Sequence, residues 1–345
     1  MLAAVAVALA IAAGVAVASR AGPRQHSGAA FRASALLQDG GTRVSGRGVA
    51  RVSWHGGAVT LRSGEHLTVF VSDAYTEDVD SVQQWGEFFG GLIHGDELAQ
   101  LTAYIATPDE VAAMCESTDA LGCYANDRLV VTGETVEGIA SQEIARHEYG
   151  HHVAAHRANP PWQSLDWGPK RWASAEQICG RERAGQVFPG DEGQNYTLNP
   201  GEAFAESYRV LNDVRSLGLA VDWRLADGSF LPTPVVLQSV ADDVMHPWTA
   251  PPRLLFRARL GAGRRTWSTR LATPLDGSLQ VKLGYPRGTR DDLVLMDGKR
   301  VVARGAPSGA TRVELSALVC GQRSLTLRVT SRVGTGAFSL RVDRP

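Results

Sequence analysis

Lysine is almost missing from this chain: among 345 residues only Lys170, Lys282 and Lys299 occur, and arginine supplies nearly all the positive charge. We attribute that bias to coding preference rather than to function. Net charge is scarce as well, -1 at pH 7 with a pI near 6.8, so the whole-chain balance singles out neither nucleic acid nor an anionic membrane surface as a partner. Cysteine is limited to four residues with no Cys-x-x-Cys, which argues against a thiolate zinc site. No internal repeat occurs, so a solenoid is not expected. With 44% hydrophobic and 21% charged residues the chain is ordinary globular protein, and its length suits about two domains at roughly 100 to 200 residues each.

The four cysteines fit an oxidising destination. Cys115 and Cys123 stand close enough to close a small loop, a bridge that would contribute about 2.5 kcal/mol by chain entropy. Cys179 and Cys320 would then pair across the two halves, although four cysteines allow three connectivities. The N-terminus agrees with export. Residues 2–18 form an uncharged run of Leu, Ala, Val, Ile and Gly, and Ala16-Val17-Ala18 offers the small-x-small pattern of a signal peptidase site. No basic residue precedes the run, so a signal peptide over 1–18 stands beside an uncleaved anchor as the alternative.

Residues 19–45, rich in Gly, Ser, Ala and Arg without periodicity, suit a flexible spacer. A folded domain is expected over 46–250. Strands are predicted at 67–71, 101–106 and 128–132 with a helix near 79–92 between the first two, an α+β opening. Helical spacing runs from about 137 to 157, where Ile144, His147, His151 and Ala154 share one stripe. The stretch 159–198 reads as irregular. A second long helix is expected from Pro200 to about Val214, with Asn199 as N-cap. Past Ala250-Pro251-Pro252 the chain changes to short alternating runs at 254–260, 279–283, 293–296, 324–330 and 337–342, punctuated by Asp276-Gly277 and Asp297-Gly298. That pattern argues for a small all-β antiparallel sandwich over 251–345.

The chemistry lies in two helical segments, His147-Glu148-Tyr149-Gly150-His151 and Glu202-Ala203-Phe204-Ala205-Glu206. Histidines at i and i+4 share a helix face and can present imidazoles to one ion, while Glu148, one residue on, is placed to take a proton from water activated there. By chance such a motif arises on the order of once per hundred chains of this composition, so its context matters. A third ligand six residues after His151 would be Arg157, and the glycine expected three residues on is Ala154, which excludes the metzincin spacing. Glu202 and Glu206 are like charges at i and i+4, a destabilising pair unless a cation lies nearby. Glu202 is therefore the expected third ligand, with Glu206 behind it fixing a ligating histidine. Asn199-x-x-Glu202 also matches a capping box, and in that event the roles reverse, Glu206 binding and Glu202 capping.

These two segments resemble the gluzincin group of zinc metallopeptidases, the anthrax lethal factor type in particular. The resemblance covers roughly residues 137–212. It implies a zincin-like α+β catalytic domain, one Zn2+ held by His147, His151 and Glu202, Glu148 as general base, and Tyr196 as oxyanion stabiliser. Residues 251–345 are similar to the prepeptidase C-terminal sandwich behind the catalytic domains of secreted bacterial proteases, through Asp292-Leu293-Val294-Leu295-Met296-Asp297-Gly298 and Ala337-Phe338-Ser339-Leu340-Arg341-Val342.

Among lesser features, Trp162, Trp167 and Trp172 are expected to pack rather than line a cleft, and His152 and His246 to be polar or partly buried histidines. Asn195-Tyr196-Thr197 is a glycosylation acceptor that would crowd the site and is discounted. The expectation is a secreted zinc metalloendopeptidase acting on protein or peptide, with no nucleic-acid partner and no membrane partner beyond the possible anchor. Its competitors are an exported adhesion protein with a structural ion and a zinc hydrolase of cell-wall peptides.

Overall fold

A computed structural model describes residues 53–75 and 81–345. The apolar segment 1–18 and the spacer 19–45 lie outside the described residues. The first sheet has strand order β1-β2-β3-β5-β4, from β1 (Trp54–Thr60), β2 (His66–Ser72), β3 (Thr102–Ala106), β4 (Gly122–Ala125) and β5 (Arg128–Thr132). It is mixed: β2, β3 and β5 run parallel, while β1 and β4 pair antiparallel at the two edges. In β2 the alternation that marks a strand is plain, with Leu67, Val69 and Val71 all buried on one face.

Between the strands lie α1 (Ser81–Gly90) and α2 (Pro108–Met114), the latter opened by a Thr107–Glu110 capping box. The helix α3 (Ser141–Ala155) follows β5. It begins four residues later than periodicity suggests, because Glu137 and Gly138 take positive φ in a turn closed by a Val136–Ile139 bridge. Residues 159–198 are more ordered than expected, holding the short helices α4 (Ser164–Trp167), α5 (Lys170–Ala175) and α6 (Ile178–Arg183). Next comes α7 (Pro200–Leu217), where Asn199 accepts a hydrogen bond from Gly201 N and Gly218 ends the helix at φ 63°. The helix α8 (Pro234–Met245), which sequence periodicity did not single out, closes the region. One core spans Val59 to Val244.

The remainder is a β-sandwich. One sheet has the order β10-β9-β13-β7 and the other β11-β12-β8-β14-β6, built from β6 (Leu254–Leu260), β7 (Thr266–Ala272), β8 (Gly277–Gly284), β9 (Arg290–Asp297), β10 (Arg300–Arg304), β11 (Ala306–Pro307), β12 (Arg312–Val319), β13 (Ser324–Val333) and β14 (Gly336–Asp343). All of its pairings are antiparallel, around a second core from Leu260 to Val342 that shares no residue with the first. The strands β7, β10, β11 and β12 add to those the sequence announced.

Two disulfides, Cys115–Cys123 and Cys179–Cys320, fit an oxidising, extracellular setting. The second ties α6 to the turn after β12. Beside it Ser174 Oγ accepts from Asp276 N at 2.9 Å and its carbonyl accepts from Arg323. No helix among the described residues is long and apolar enough to cross a membrane.

Candidate metal centre

The helix α3 is buried nearly all round, and its buried residues include Arg146, His147, Glu148 and His152. Burying such groups costs free energy unless each finds a partner, so a core helix this polar signals a purpose. The partner is α7, which crosses α3 where Gly150 faces Ala205; a β-carbon on Gly150 would stand 2.7 Å from Ala205 Cα. Only glycine allows that approach. Ala205 lies between Glu202 and Glu206 just as Gly150 lies between His147 and His151, so the contact brings the histidine pair and the glutamate pair together.

Glu202 turns its carboxylate to the histidines. Its Oε2 is 3.1 Å from His147 Nε2 and its Oε1 3.4 Å from His151 Nε2, and one ligand atom from each residue lies within 4.8 Å of the others. The capping-box geometry does not form, since Asn199 receives Gly201 N and Glu202 is engaged elsewhere. Tyr196, in the 3-10 turn Tyr196–Leu198, donates from its hydroxyl to Glu202 Oε2 at 2.6 Å. The hydroxyl is thus committed to a carboxylate in this arrangement, and burial followed by the Glu202 charge raises its pKa well above the usual tyrosine value.

Glu206 behaves differently. Arg209 clasps it with two bonds, Nε to Oε2 at 2.9 Å and Nη2 to Oε1 at 2.7 Å, and Arg224 N adds a third at 3.0 Å. Its remaining contact is with His147 Nδ1 at 3.5 Å. The cation that the i, i+4 glutamates demand is therefore supplied, for Glu206, by the protein itself. Arg209 in turn pairs with Asp213 at 2.6 Å, which also holds Arg146 at 3.0 Å. The sequence carried a signal for this, since Arg209 stands three residues after Glu206 and four before Asp213.

Glu148 points to the edge strand β4. Gly122 makes the room: a β-carbon there would meet Glu148 Cγ and Oε1 at 3.0 Å and Ile144 Cγ2 at 2.8 Å. Burial raises the Glu148 carboxyl pKa against the opposing pull of His147 and His151. Burial opposes charge on His147, yet the Glu202 and Glu206 carboxylates hold its pKa up at about 10. His151 is raised against burial by Glu202 alone among the larger causes, and Glu202, despite its own burial, is held far below the usual carboxylate range by the two imidazoles. The cluster thus attracts positive charge to one point. Glu192, which sequence analysis passed over, is pushed up to about 8 by burial and by the Glu202 charge, and accepts from Asn199 Nδ2 at 2.7 Å. It faces the same carboxylate and imidazole.

A second grouping, Asp127, His152 and His156, can also surround a cation. Its donors are already spent within the protein: His156 Nε2 lies 2.6 Å from Asp127 Oδ1, His152 Nε2 is 2.9 Å from the Glu97 carbonyl, and His152 Nδ1 is 3.2 Å from the Tyr124 hydroxyl. Burial lowers His152 to about 4 and keeps it neutral, so the set is a bracket between the β4–β5 turn and α3. His152 is more deeply buried than expected, and His246 is exposed at the end of α8. The tryptophans pack. Trp172 is fully buried against Phe204 and donates to Ser207 Oγ, and Trp162 stacks on Trp167.

No family model and no curated protein matches the chain. Among solved structures it is similar to the pre-peptidase C-terminal domain of a collagenase from Bacillus anthracis, at 18% identity over 26% of this chain and 89% of that one, with a TM-score of 0.23. A likeness of that size leaves the sandwich to be described from its own strand order.

Proposed function

We propose that this protein is a metal-dependent hydrolase of peptide bonds, with His147, His151 and Glu202 holding a zinc ion and Glu148 acting as general base. The observation that carries the proposal is the convergence of two imidazole nitrogens and a carboxylate oxygen on one buried point, with a further buried carboxyl beside them on the same helix. The donor set fits: two nitrogens and one oxygen suit a borderline divalent ion, and three protein ligands leave a position for a reactant. Bound there, zinc would polarise a carbonyl and acidify water.

The protein's own residues do the rest. Glu148, with its pKa raised by burial, accepts a proton from the attacking water and hands it to the leaving amine, work suited to a carboxyl poised nearer neutrality. Glu206 orients His147 while Arg209 keeps Glu206 charged. Tyr196 orients Glu202 through its hydroxyl, and the oxyanion role implied by the gluzincin resemblance would require that bond to be exchanged for one to substrate. The edge strand β4 lies against Glu148 and offers an unpaired side on which an extended peptide adds as a strand. Export, a protein or peptide substrate and a zincin-like catalytic region complete the proposal.

The test is Glu148→Ala in purified protein, assayed for zinc content and for cleavage of a peptide library. The expected result is one zinc per chain with hydrolysis reduced by about 10²- to 10⁴-fold. Full activity in the variant would sink the mechanism.

A further inference from the structure

The net charge of -1 conceals a division along the chain. Residues 251–345 hold 16 arginines and two lysines against six acids, a net of +12, which leaves -13 for residues 1–250. Five of the six acids in the sandwich are neutralised locally, in the pairs Arg253–Asp343, Lys282–Glu314, Arg300–Asp297, Arg323–Asp276 and Arg332–Asp292. Asp291, the sixth, is buried. The surplus is therefore mainly arginine, with Lys299, without an acidic partner among the described residues.

Strand register shows where it gathers. On the outer face of the β11-β12-β8-β14-β6 sheet, Arg312 of β12 lies opposite Gly284 of β8, Gly284 opposite Ser339 of β14, and Ser339 opposite Arg257 of β6. One row across four strands thus has arginine at each end and small residues between. With strands about 4.8 Å apart, the two arginine Cα atoms stand roughly 14 Å from each other. Arg259 projects from the same face of β6, opposite Ala337. The result is a trough of about 790 Å³, floored by Gly284, Ala337 and Ser339 and walled by Arg257, Arg259 and Arg312. In the next row Arg341 and Lys282 are direct cross-strand neighbours. Glu314, opposite Lys282 on the other side, pairs with the lysine and leaves Arg341 as the unneutralised charge of that row.

We propose that this trough is a docking site for a linear anionic polysaccharide. Its chemistry asks for repeated negative groups on a slender chain, since the floor is small and polar and the walls are guanidinium forks suited to carboxylate or sulfate. Nucleic acid is disfavoured because the trough offers no series of aromatic planes for successive bases: Phe338 is buried in the core and only Tyr285, half-buried, remains. A second copy of the chain, whose residues 1–250 carry the net -13, would compete for the same arginines; four of its acids are already paired, Glu97 with Arg157, Asp243 with Arg171, Glu176 with Arg181 and Glu206 with Arg209, and self-association is an outcome of the test below. The site does not depend on the proposed hydrolase.

The experiment uses the full chain and heparin fragments as probe, titrated over a salt series. Arg257→Thr/Arg259→Thr/Arg312→Thr is compared with Arg270→Thr/Lys299→Thr/Arg304→Thr, which removes equal charge from the opposite sheet. Loss of three contacts should lower the slope of log affinity against log salt by about 2 in the first variant and leave it unchanged in the second. Gly284→Tyr, which fills the floor without altering charge, should also weaken binding. Equal losses in both triple variants would overturn the proposal. So would a single-stranded oligonucleotide that binds as tightly through the same arginines, or a self-association in sedimentation that the trough variant abolishes.

Discussion

Gly150→Ala tests whether the helix crossing builds the proposed metal centre. The added carbon would sit 2.7 Å from Ala205 Cα, 3.0 Å from its carbonyl oxygen and 3.2 Å from its Cβ. Carbon atoms in contact prefer about 3.5 to 4.0 Å, so the axes must part by roughly 1 Å. Both colliding groups belong to rigid helices, and α7 is pinned by Tyr208 OH on the Ile93 carbonyl and Ser207 Oγ on Trp172. The strain therefore falls on the crossing itself. A shift of that size carries His147 from 3.1 Å to about 4 Å from Glu202, whereas ligand positions tolerate only about 0.2 Å. Overpacking costs about 1 to 3 kcal/mol, offset by about 1 kcal/mol for removing glycine from a helix interior. The variant should thus fold with a modest loss of stability and bind zinc about 10- to 100-fold more weakly, by calorimetric titration with circular dichroism as the check on folding. Ala205→Gly should fail to rescue it, because the nearest atom is the Cα. Zinc bound as tightly as by the parent, or full rescue by Ala205→Gly, would refute the reasoning.

Metal analysis should separate the two acids of α7: Glu202→Ala loses the ion, whereas Glu206→Ala retains it with reduced affinity, because Glu206 is already saturated by Arg209 and Arg224 N. Arg209→Met removes the guanidinium shared by buried Glu206 and Asp213 and should cost about 3 to 5 kcal/mol in denaturant unfolding. The Glu206 carboxyl is pulled down to about 2 by Arg209 and His147 against its burial, so its contribution to stability is complete above the ordinary glutamate pKa and disappears as pH falls toward 2. Acid unfolding should start below about pH 4.5, and the share of it due to Glu206 should shrink in Arg209→Met, where the carboxyl is no longer held down by the guanidinium. Cys115→Ser/Cys123→Ser should cost about 2.5 kcal/mol in the same assay, while opening the 141-residue separation of Cys179 and Cys320 should cost about 5 kcal/mol.

Strands with one buried face were legible because side-chain alternation is local. The expected 254–260 and 128–132 match β6 and β5 residue for residue. β7 escaped notice because the inward side of Thr266–Ala272 carries Thr269 between Trp267 and Leu271, which blurs the alternation. The short helices after α3 escaped for a different reason. The α5 amides of Arg171 and Trp172 are capped by the carboxylate of Asp243 on α8, at 2.9 and 2.8 Å to Oδ2, from some seventy residues away in sequence. A helix of six residues capped from that distance leaves no local signature.

The candidate metal centre divides along the same line. Its histidine donors were legible, since i, i+4 spacing on a helix converts directly into a shared face. What holds them in place was not, because Gly150 and Gly122 act through the absence of a side chain, and an absence is informative only when the opposing surface is known. The glycine inside the histidine motif still carried a hint: it costs a helix about 1 kcal/mol against alanine, so its presence in a buried helix calls for a close neighbour. The like-charged glutamates carried a hint that misled. They implied one cation for two acids, and the structure supplies a guanidinium for Glu206 and two imidazoles for Glu202. The acid pair is therefore evidence for a positive centre only through Glu202. The case for an ion rests on the three converging donors, which is why exchanging Glu202 and Glu206 singly separates a metal site from a buried salt-bridge network.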